Sequence, residues 1–189
     1  MSNETKRGSD KVDARDAIKS QFMKEYVRKD FSDITVKALC AATPVARTTF
    51  YSYYDNMDDV LCEIEDEILK GLEDLTETIS AGNLPAMDFA LYMDAIEGYI
   101  REKWSTLYAL LVVQPDLRLI RKWKDAIKLN LRKRYPGKQN TGNYDGVAEI
   151  AASSIISGYT YWMEHPDTVS TGEIKPILNK VLDTLIQAV

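Results

Sequence analysis

The chain has 189 residues and a formal net charge of -5, with 45% hydrophobic and 28% charged residues. This balance is that of a globular protein, and the length predicts one domain or a small module joined to a larger one. The longest dense apolar stretch, Tyr108–Val113, is too short to span a membrane, and the polar N-terminus predicts no secretory signal. We therefore expect a cytoplasmic protein without a membrane partner.

The two cysteines and the single histidine limit the possible chemistry. Cys40 and Cys62 form neither a disulfide framework nor a zinc signature, which is typical of a reducing compartment. Because His165 is the only histidine, histidine-rich metal sites are excluded. The sequence predicts no metal and no cofactor.

The negative charge is unevenly distributed along the chain. Residues 1–55 contain 10 Lys and Arg against 8 Asp and Glu, a net charge of +2, whereas residues 56–189 contain 14 against 21, a net charge of -7. A mildly basic N-terminal part beside an acidic remainder is a weak indication of nucleic-acid contact.

Apolar residues recur at helical spacing along nearly the whole chain, so the predicted fold class is all-α. A first helix carries the stripe from Ala14 to Val27, and Asp30–Asp33 is predicted to connect it to the next. Thr35 is the predicted N-cap of a short helix through Ala42. Pro44 ends that helix, and another short helix is predicted from about Arg47 to Tyr54.

The remaining helices are delimited by caps and breaks. Asn56, with Asp59 three residues later, predicts the start of a long helix to about Ile79. An interruption at Ser80–Pro85 and a polar loop at Lys138–Asn143 separate later elements. Those elements are predicted near residues 86–104, 105–114 and 117–134, from about Tyr144 to Glu164, and from about Glu173 to the end.

The segment from Phe31 to Leu61 carries the functional signal. Two short helices joined by a tight turn, with a longer helix before them, are the parts of a helix-turn-helix unit. In such a unit the second helix lies in the DNA major groove and its N-terminal side chains reach the bases. Here that helix offers hydrogen-bonding side chains from Arg47 to Tyr53, whereas Leu39, Val45 and Phe50 are predicted to seat it on its partners.

This segment resembles the N-terminal signature of the TetR family of transcriptional regulators over about residues 12–62. The matching positions are Thr35, Val36, Leu39, Cys40, Val45, Thr49, Phe50, Tyr51, Tyr53, Tyr54, Val60 and Leu61. The resemblance implies a three-helix helix-turn-helix domain at residues 1–55, of which 1–10 are expected to be flexible. A larger helical ligand-binding and dimerisation domain is then expected at residues 56–189.

The resemblance also implies a set of DNA contacts. The residues are Thr35 and the backbone N–H of Met57 for phosphate, Arg47, Thr48 and Thr49 for bases, and Tyr51, Ser52 and Tyr53 for bases or backbone. Arg47 is the candidate for reading guanine with its bidentate fork. Tyr51 and Tyr53 as packing residues, and Arg47 as a solvated surface residue, remain as alternatives.

Three positions depart from the family pattern. Pro44 replaces the usual turn glycine, and Ala46 replaces the usual cap of the recognition helix, a loss that typically costs about 1 kcal/mol. Met57 stands where the family usually has a lysine that binds phosphate. We therefore expect modest affinity for DNA at physiological salt.

The resemblance further implies a homodimer formed by the last two helices, which would bind a pseudo-palindromic double-stranded operator. It also implies a pocket for a small-molecule effector of unknown identity. The candidate lining residues are Phe89, Tyr92, Met93, Trp104, Tyr108, Trp123 and Trp162. Aromatic and methionine side chains at helical spacing are also typical of ordinary core, which remains the alternative.

The basic segment from Arg118 to Arg134 has a net charge of +6 when Asp116 and Asp125 are included. It is either a solvated helix face, which could pair with the acidic helix from Asp58 to Glu77, or a surface for a membrane or an acidic partner.

The resulting hypothesis is a sequence-specific DNA-binding transcriptional regulator, a repressor released by a small-molecule effector. An enzyme is the second class, since Glu63, Asp66 and Glu67 share one predicted helix face, which suggests a carboxylate metal site. The chain lacks a Glu-x-x-His partner and a Gly-rich phosphate loop, so no enzyme activity is expected. The third class is an all-helical dimeric protein-interaction module without DNA binding.

Overall fold

The structure, a computed structural model, describes residues 2–81, 89–135 and 143–187, and the side chains of residues 14–78, 91–133, 135 and 143–187. Within these ranges the regular structure is helical and contains no strand, which confirms the all-α prediction. None of the described helices is both long enough and apolar enough to cross a membrane. The breaks predicted at Ser80–Pro85 and Lys138–Asn143 lie mainly outside the described residues.

The chain divides into two compact units, Met1–Ile68 and Leu69–Val189. The boundary falls within one helix, α4, which runs from Met57 to Ala81. The sequence places the boundary between residues 55 and 56, at the start of that helix. The first turns of α4 therefore count with the N-terminal unit in the structure, because their apolar side chains are part of its core.

The N-terminal unit contains α1 (Ser2–Tyr26), a 3-10 turn (Phe31–Asp33), α2 (Val36–Ala41), α3 (Arg47–Tyr51) and the first part of α4. Helix α1 begins at Ser2 and thus includes residues 2–10, which the sequence predicts to be flexible.

Caps determine where the short helices begin. The Thr35 hydroxyl accepts a hydrogen bond from the Ala38 N–H at 3.2 Å, which confirms the predicted N-cap of α2. Ala46 precedes α3 without a side-chain cap. The Asn56 side chain accepts from the N–H of Asp59, whose carboxylate accepts from the N–H of Asn56, both at 3.2 Å. This reciprocal capping box fixes the start of α4 as predicted.

Helix α3 is shorter than the sequence predicts, since it ends at Tyr51 rather than near Tyr54. The Ser52 hydroxyl donates to the backbone oxygen of Thr49 at 2.7 Å, and the Tyr53 N–H bonds to the oxygen of Phe50 at 2.9 Å. The Thr49 carbonyl, which would accept from the Tyr53 N–H in a further α-helical turn, thus bonds to the Ser52 hydroxyl instead, and the helix ends.

The second unit contains the rest of α4 and the helices α5 (Phe89–Glu102), α6 (Trp104–Tyr108), α7 (Leu117–Arg134), α8 (Tyr144–Glu164) and α9 (Thr171–Gln187). A turn of π-helix, Ala109–Val113, follows α6. The Asp116 carboxylate caps α7 by accepting from the N–H groups of Arg118 at 2.8 Å and Leu119 at 3.1 Å. Helix α8 has the predicted bounds.

Helix α9 begins two residues earlier than predicted. The Glu173 carboxylate accepts from the N–H and the hydroxyl of Ser170, both at 2.9 Å, so the capping box of this helix starts at Ser170. Helices α8 and α9 pack closely at Gly158, where an added Cβ would lie 3.0 Å from the Leu178 side chain. Glycine favours this close approach, and the fully buried Ala151, two turns earlier, lies on the same helix face.

Candidate functional site

The exposed side of α3 carries the residues that the sequence assigns to DNA. Arg47, Thr48, Tyr51 and Ser52 are exposed, whereas Phe50, between them in sequence, is fully buried. The short helix therefore has one apolar side chain directed to the core and hydrogen-bonding groups directed to solvent. This is the division that a helix lying in a DNA groove requires.

Helix α3 is held in place by packing against the rest of the N-terminal unit. Val45, before the helix, and Leu39, on α2, are buried together with Phe50. The Phe50 ring contacts those of Tyr51 and Tyr54, with centroids 5.4 and 5.5 Å apart. Since a helix of five residues is not stable alone, these contacts hold the exposed side chains in position.

Thr49 and Tyr53 are half-buried and thus differ from the exposed set. Tyr53 lies beyond the end of α3, and the guanidinium carbon of Arg15, on α1, lies 5.1 Å from its ring centroid. One face of the Tyr53 ring is therefore covered by a cation, which favours a packing role for that part of the side chain. Tyr51 is 56% exposed, which leaves its ring and hydroxyl available.

Behind Tyr53 lies a charged cluster that we call the α1–α4 bridge, formed by Arg15, Lys19, Tyr54, Glu63 and Glu67. Glu63 pairs with Arg15 and with Lys19, both at 3.4 Å, and Glu67 also pairs with Lys19. Burial first, and then the neighbouring Glu63 carboxylate, raise the pKa of Tyr54, so its hydroxyl stays protonated. The bridge holds Arg15 in the position from which it covers Tyr53.

The bridge also accounts for the acids that suggested a metal site in the sequence. Glu63 and Glu67 point toward the cations of α1 instead of converging on a vacant centre. In the described part of the chain, no group of three or more His, Cys, Asp or Glu side chains is placed to hold a metal ion.

The two predicted phosphate positions differ. Thr35 is exposed at the start of α2, although its hydroxyl oxygen already accepts from Ala38. The Met57 side chain is only 9% exposed and belongs to the core. The first turn of α4 carries Asp58 and Asp59, whose N–H groups bond to the Asn56 side chain. This arrangement is less favourable to phosphate at Met57 than the sequence suggested.

In the second unit, the predicted effector residues separate into core and surface groups. Tyr92, Met93 and Trp123 are buried, and the Tyr159 hydroxyl donates to the backbone oxygen of Met93 at 2.8 Å. The side chain of Phe89 lies outside the described residues. These contacts favour the core interpretation for Tyr92, Met93 and Trp123.

Trp104 and Trp162 instead line a cleft of about 480 Å³, and Tyr108 stacks on Trp104 with centroids 6.3 Å apart. The cleft is also lined by residues that the sequence did not single out, namely Arg101, Glu173 and the segment from Pro166 to Thr171. The sequence did contain one signal for Arg101. Glu97 lies four residues earlier, and on a helix this spacing lets a glutamate pair with an arginine and orient it. The two groups pair at 2.8 Å.

The basic helix α7 finds its partners on α8. Lys124 and Lys128 both bond to Glu149 at 3.0 Å, and Arg132 bonds to Asp145 at 2.7 Å. These pairs favour the interpretation of the basic segment as a solvated helix face. The paired acids, however, lie on α8 and not among residues 58–77, where the sequence suggested them. Such exposed pairs orient helices with little net stabilisation.

Comparison with solved structures identifies the fold. A TetR transcriptional regulator from Streptococcus agalactiae 2603V is 19% identical, with a TM-score of 0.70 over 97% of this chain and 99% of that chain. A TetR-family transcriptional regulator from Syntrophomonas wolfei str. Goettingen is 11% identical, with a TM-score of 0.74 over 94% and 95%. The dihydroxyacetone kinase operon activator DhaS is 14% identical, with a TM-score of 0.52 over 94% and 96%.

No protein-family model matches the chain, and no curated protein matches it. The similarity therefore lies in the arrangement of the helices over nearly the full length of each chain. The chain has the fold of TetR-family transcriptional regulators, as the sequence resemblance predicts.

Proposed function

We propose that this chain is a sequence-specific DNA-binding transcriptional regulator that uses α3 as its recognition helix. The observation that carries the proposal is the exposed polar face of α3, held by the buried Phe50. The shared fold supports it, because two proteins with that fold are described as transcriptional regulators.

The chemistry of the face suits direct reading of bases. Arg47 can donate two parallel hydrogen bonds to guanine, and Thr48 and Tyr51 can donate to or accept from base edges and phosphates. Thr35 at the start of α2 can contact the phosphate backbone. Since residues 1–55 have a net charge of only +2, these few contacts rather than bulk charge supply most of the binding.

We further propose that the active form is a homodimer built on α8 and α9. Along the outer side of α8, Ile150 is 53% and Tyr161 is 49% exposed, and on α9 Ile177 is 60% exposed. Ser157 lies exposed between the first two, so this side of α8 is apolar and thin. A second copy packed there would cover these side chains and present two recognition helices to a pseudo-palindromic site.

Regulation would follow from a ligand that binds the second unit and favours a dimer whose recognition helices no longer match the half-site spacing. In that form the protein is a repressor released by its effector. DhaS is named an operon activator, so the sign of regulation is itself a quantity to measure. A reporter gene behind the operator measures it in cells with and without the protein.

The experiment is a gel-shift titration of the purified protein against promoter DNA of its own and neighbouring genes at low and physiological salt. We expect a sequence-specific shift that is weakened in Arg47→Ala and unchanged in Arg121→Ala, an exposed arginine of the second unit. A dimer that shifts none of these DNAs at low salt would overturn the proposal and favour the interaction module without DNA binding.

A further inference from the structure

The cleft beside Trp104 and Trp162 has the features of a binding site. Its volume of about 480 Å³ lies within the usual range of small-molecule pockets, roughly 300–1,000 Å³. Its walls come from α5, α6, α8, the segment before α9 and the first turn of α9. All of these belong to the second unit.

Two indoles form the aromatic part of the cleft. The rings of Trp104 and Trp162 meet nearly at right angles, with centroids 5.1 Å apart. Trp162 is almost fully buried, whereas Trp104 is half-exposed to the cleft. A flat ring entering the cleft can meet the half-exposed Trp104 ring, behind which the buried Trp162 ring lies, in one of the geometries that aromatic pairs prefer.

Arg101 supplies a fixed cation. Its guanidinium carbon lies 4.7 Å from the Trp162 ring centroid, and its Nε and Nη2 both donate to Glu97 Oε1 at 2.8 Å. Glu97 in turn accepts from the Lys175 ammonium at 2.7 Å and from the Thr171 hydroxyl at 2.9 Å. Because Arg101, Lys175 and Thr171 all bond to Glu97, the Arg101 side chain is oriented before a ligand binds. The bonds to Glu97 use the Nε and Nη2 groups of Arg101 and leave its Nη1 group for a ligand.

The charges around the cleft select the kind of anion. Asp167 and Glu173 also line it, and the Glu173 carboxylate is occupied by Ser170. These acids repel any anion and repel a dianion such as phosphate more strongly than a monoanion, and phosphate would also leave the indoles unused. A monoanion with a flat apolar body would place its charge at Arg101 and its ring against the tryptophans.

We infer that this cleft binds a small aromatic carboxylate, with the carboxylate on the Arg101 guanidinium and the ring against Trp104 and Trp162. The occupant would be the effector of the regulator, a step that rests on the proposed function. Aromatic walls from α6 and α8 and one oriented arginine from α5 recognise the ligand.

Titrations of the DNA-free protein with benzoate, its neutral isostere benzamide, its cationic isostere benzamidine, and inorganic phosphate test the inference. Tryptophan fluorescence is the readout, checked by calorimetry, since two of the chain's three tryptophans line the cleft. We expect saturable binding of benzoate, and binding at least about tenfold weaker for the three other probes.

Arg101→Gln should weaken benzoate binding by about 10- to 100-fold, and the matched Arg121→Gln variant should leave it unchanged. The Arg101 side chain is 57% exposed, so its replacement should not prevent folding, which thermal unfolding verifies. Equal binding of benzoate and benzamide, benzoate binding retained in Arg101→Gln, or no saturable binding would each overturn the inference. Because these titrations contain no DNA, a failed gel shift with benzoate binding intact overturns the proposed function and leaves the site standing.

Discussion

The two units differ in where their candidate functional side chains lie relative to the core. In the N-terminal unit, Arg47, Thr48 and Tyr51 of α3 are exposed and their neighbour Phe50 is buried, so exposed and core side chains alternate within five residues. In the second unit, Tyr92, Met93 and Trp123 are themselves core, and the cleft combines two indoles with a charged network at one end of α9. Position along a short helix separates core side chains from the exposed side chains of α3, which we call the proposed reading surface, whereas a ligand site depends on contacts between distant helices.

The largest expected effect is a difference in stability between substitutions at two neighbouring positions of α3. Phe50→Ala should lower the free energy of unfolding of the N-terminal unit by about 3–5 kcal/mol, because it leaves a cavity under the helix. Tyr51→Ala should cost below about 1 kcal/mol, since that side chain is largely exposed. Urea denaturation followed by circular dichroism measures both, and similar losses in the two variants would contradict the separation of core from reading surface.

Substitutions on the outer side of α8 and α9 should weaken the dimer by about 2 kcal/mol or more. Ile150→Glu or Ile177→Glu would bury a charge against the second copy. Leu117→Glu, on α7, is the control because Leu117 is 71% exposed outside the proposed interface. Sedimentation equilibrium gives the dissociation constants, and a control that dissociates as readily as the two variants would place the interface elsewhere.

Replacing Arg47 tests the reading surface itself. Arg47→Ala should weaken operator binding by about 1–3 kcal/mol while the dimer stays intact. Arg47→Lys retains the charge but loses the fork, so it should reduce discrimination between guanine and other bases more than it reduces affinity at low salt. Gel shifts on operators with single base changes measure this, and equal effects of Arg47→Lys on all sequences would assign Arg47 to phosphate.

The α1–α4 bridge should influence the reading surface from behind. Arg15→Ala removes the cation from the Tyr53 ring and should weaken operator binding by about 0.5–1 kcal/mol. Arg28→Ala, beyond the end of α1, is the matched loss of an exposed positive charge. If both variants weaken binding equally and only at low salt, general charge rather than the position of Tyr53 is responsible.

The smallest expected effect concerns pH in the second unit. Burial favours the protonated form of Glu97, but the hydrogen bonds from Lys175, Arg101 and Thr171 outweigh it and hold the pKa below its usual value. A depressed pKa in the folded state stabilises the unit above the unfolded-state value, and this stabilisation is lost as the pH falls through the folded value. Thermal unfolding at neutral and acidic pH should therefore show a smaller acid loss in Glu97→Gln, by about 1 kcal/mol or less.

The sequence was most informative where local chemistry sets the structure. The cap at Thr35, the capping box at Asn56 and both ends of α8 follow from hydrogen bonds or breaks within a few residues, and all are found as predicted. The end of α3 was not predicted correctly, because the Ser52 hydroxyl competes for the Thr49 carbonyl. Such competition leaves no periodic signal.

The candidate ligand site was predicted only in part, for a physical reason. A tryptophan lining a cleft and a tryptophan filling a core have the same helical spacing, so Trp123 and Trp104 look alike in sequence. Trp123 is 1% exposed, whereas Trp104 borders the cleft. What separates them is the packing of α5 against α9, which joins Glu97 to Lys175 across 78 positions of the chain.

The brevity of α3 also limits how long the reading surface lasts. An isolated helix of five residues melts within about a microsecond, because its nucleation is not repaid by so few hydrogen bonds. The arrangement of Arg47 and Tyr51 therefore persists only as long as Phe50 remains seated. Amide hydrogen exchange in α3 should consequently follow the opening of the whole N-terminal unit, and DNA should slow that exchange by the amount it stabilises the unit.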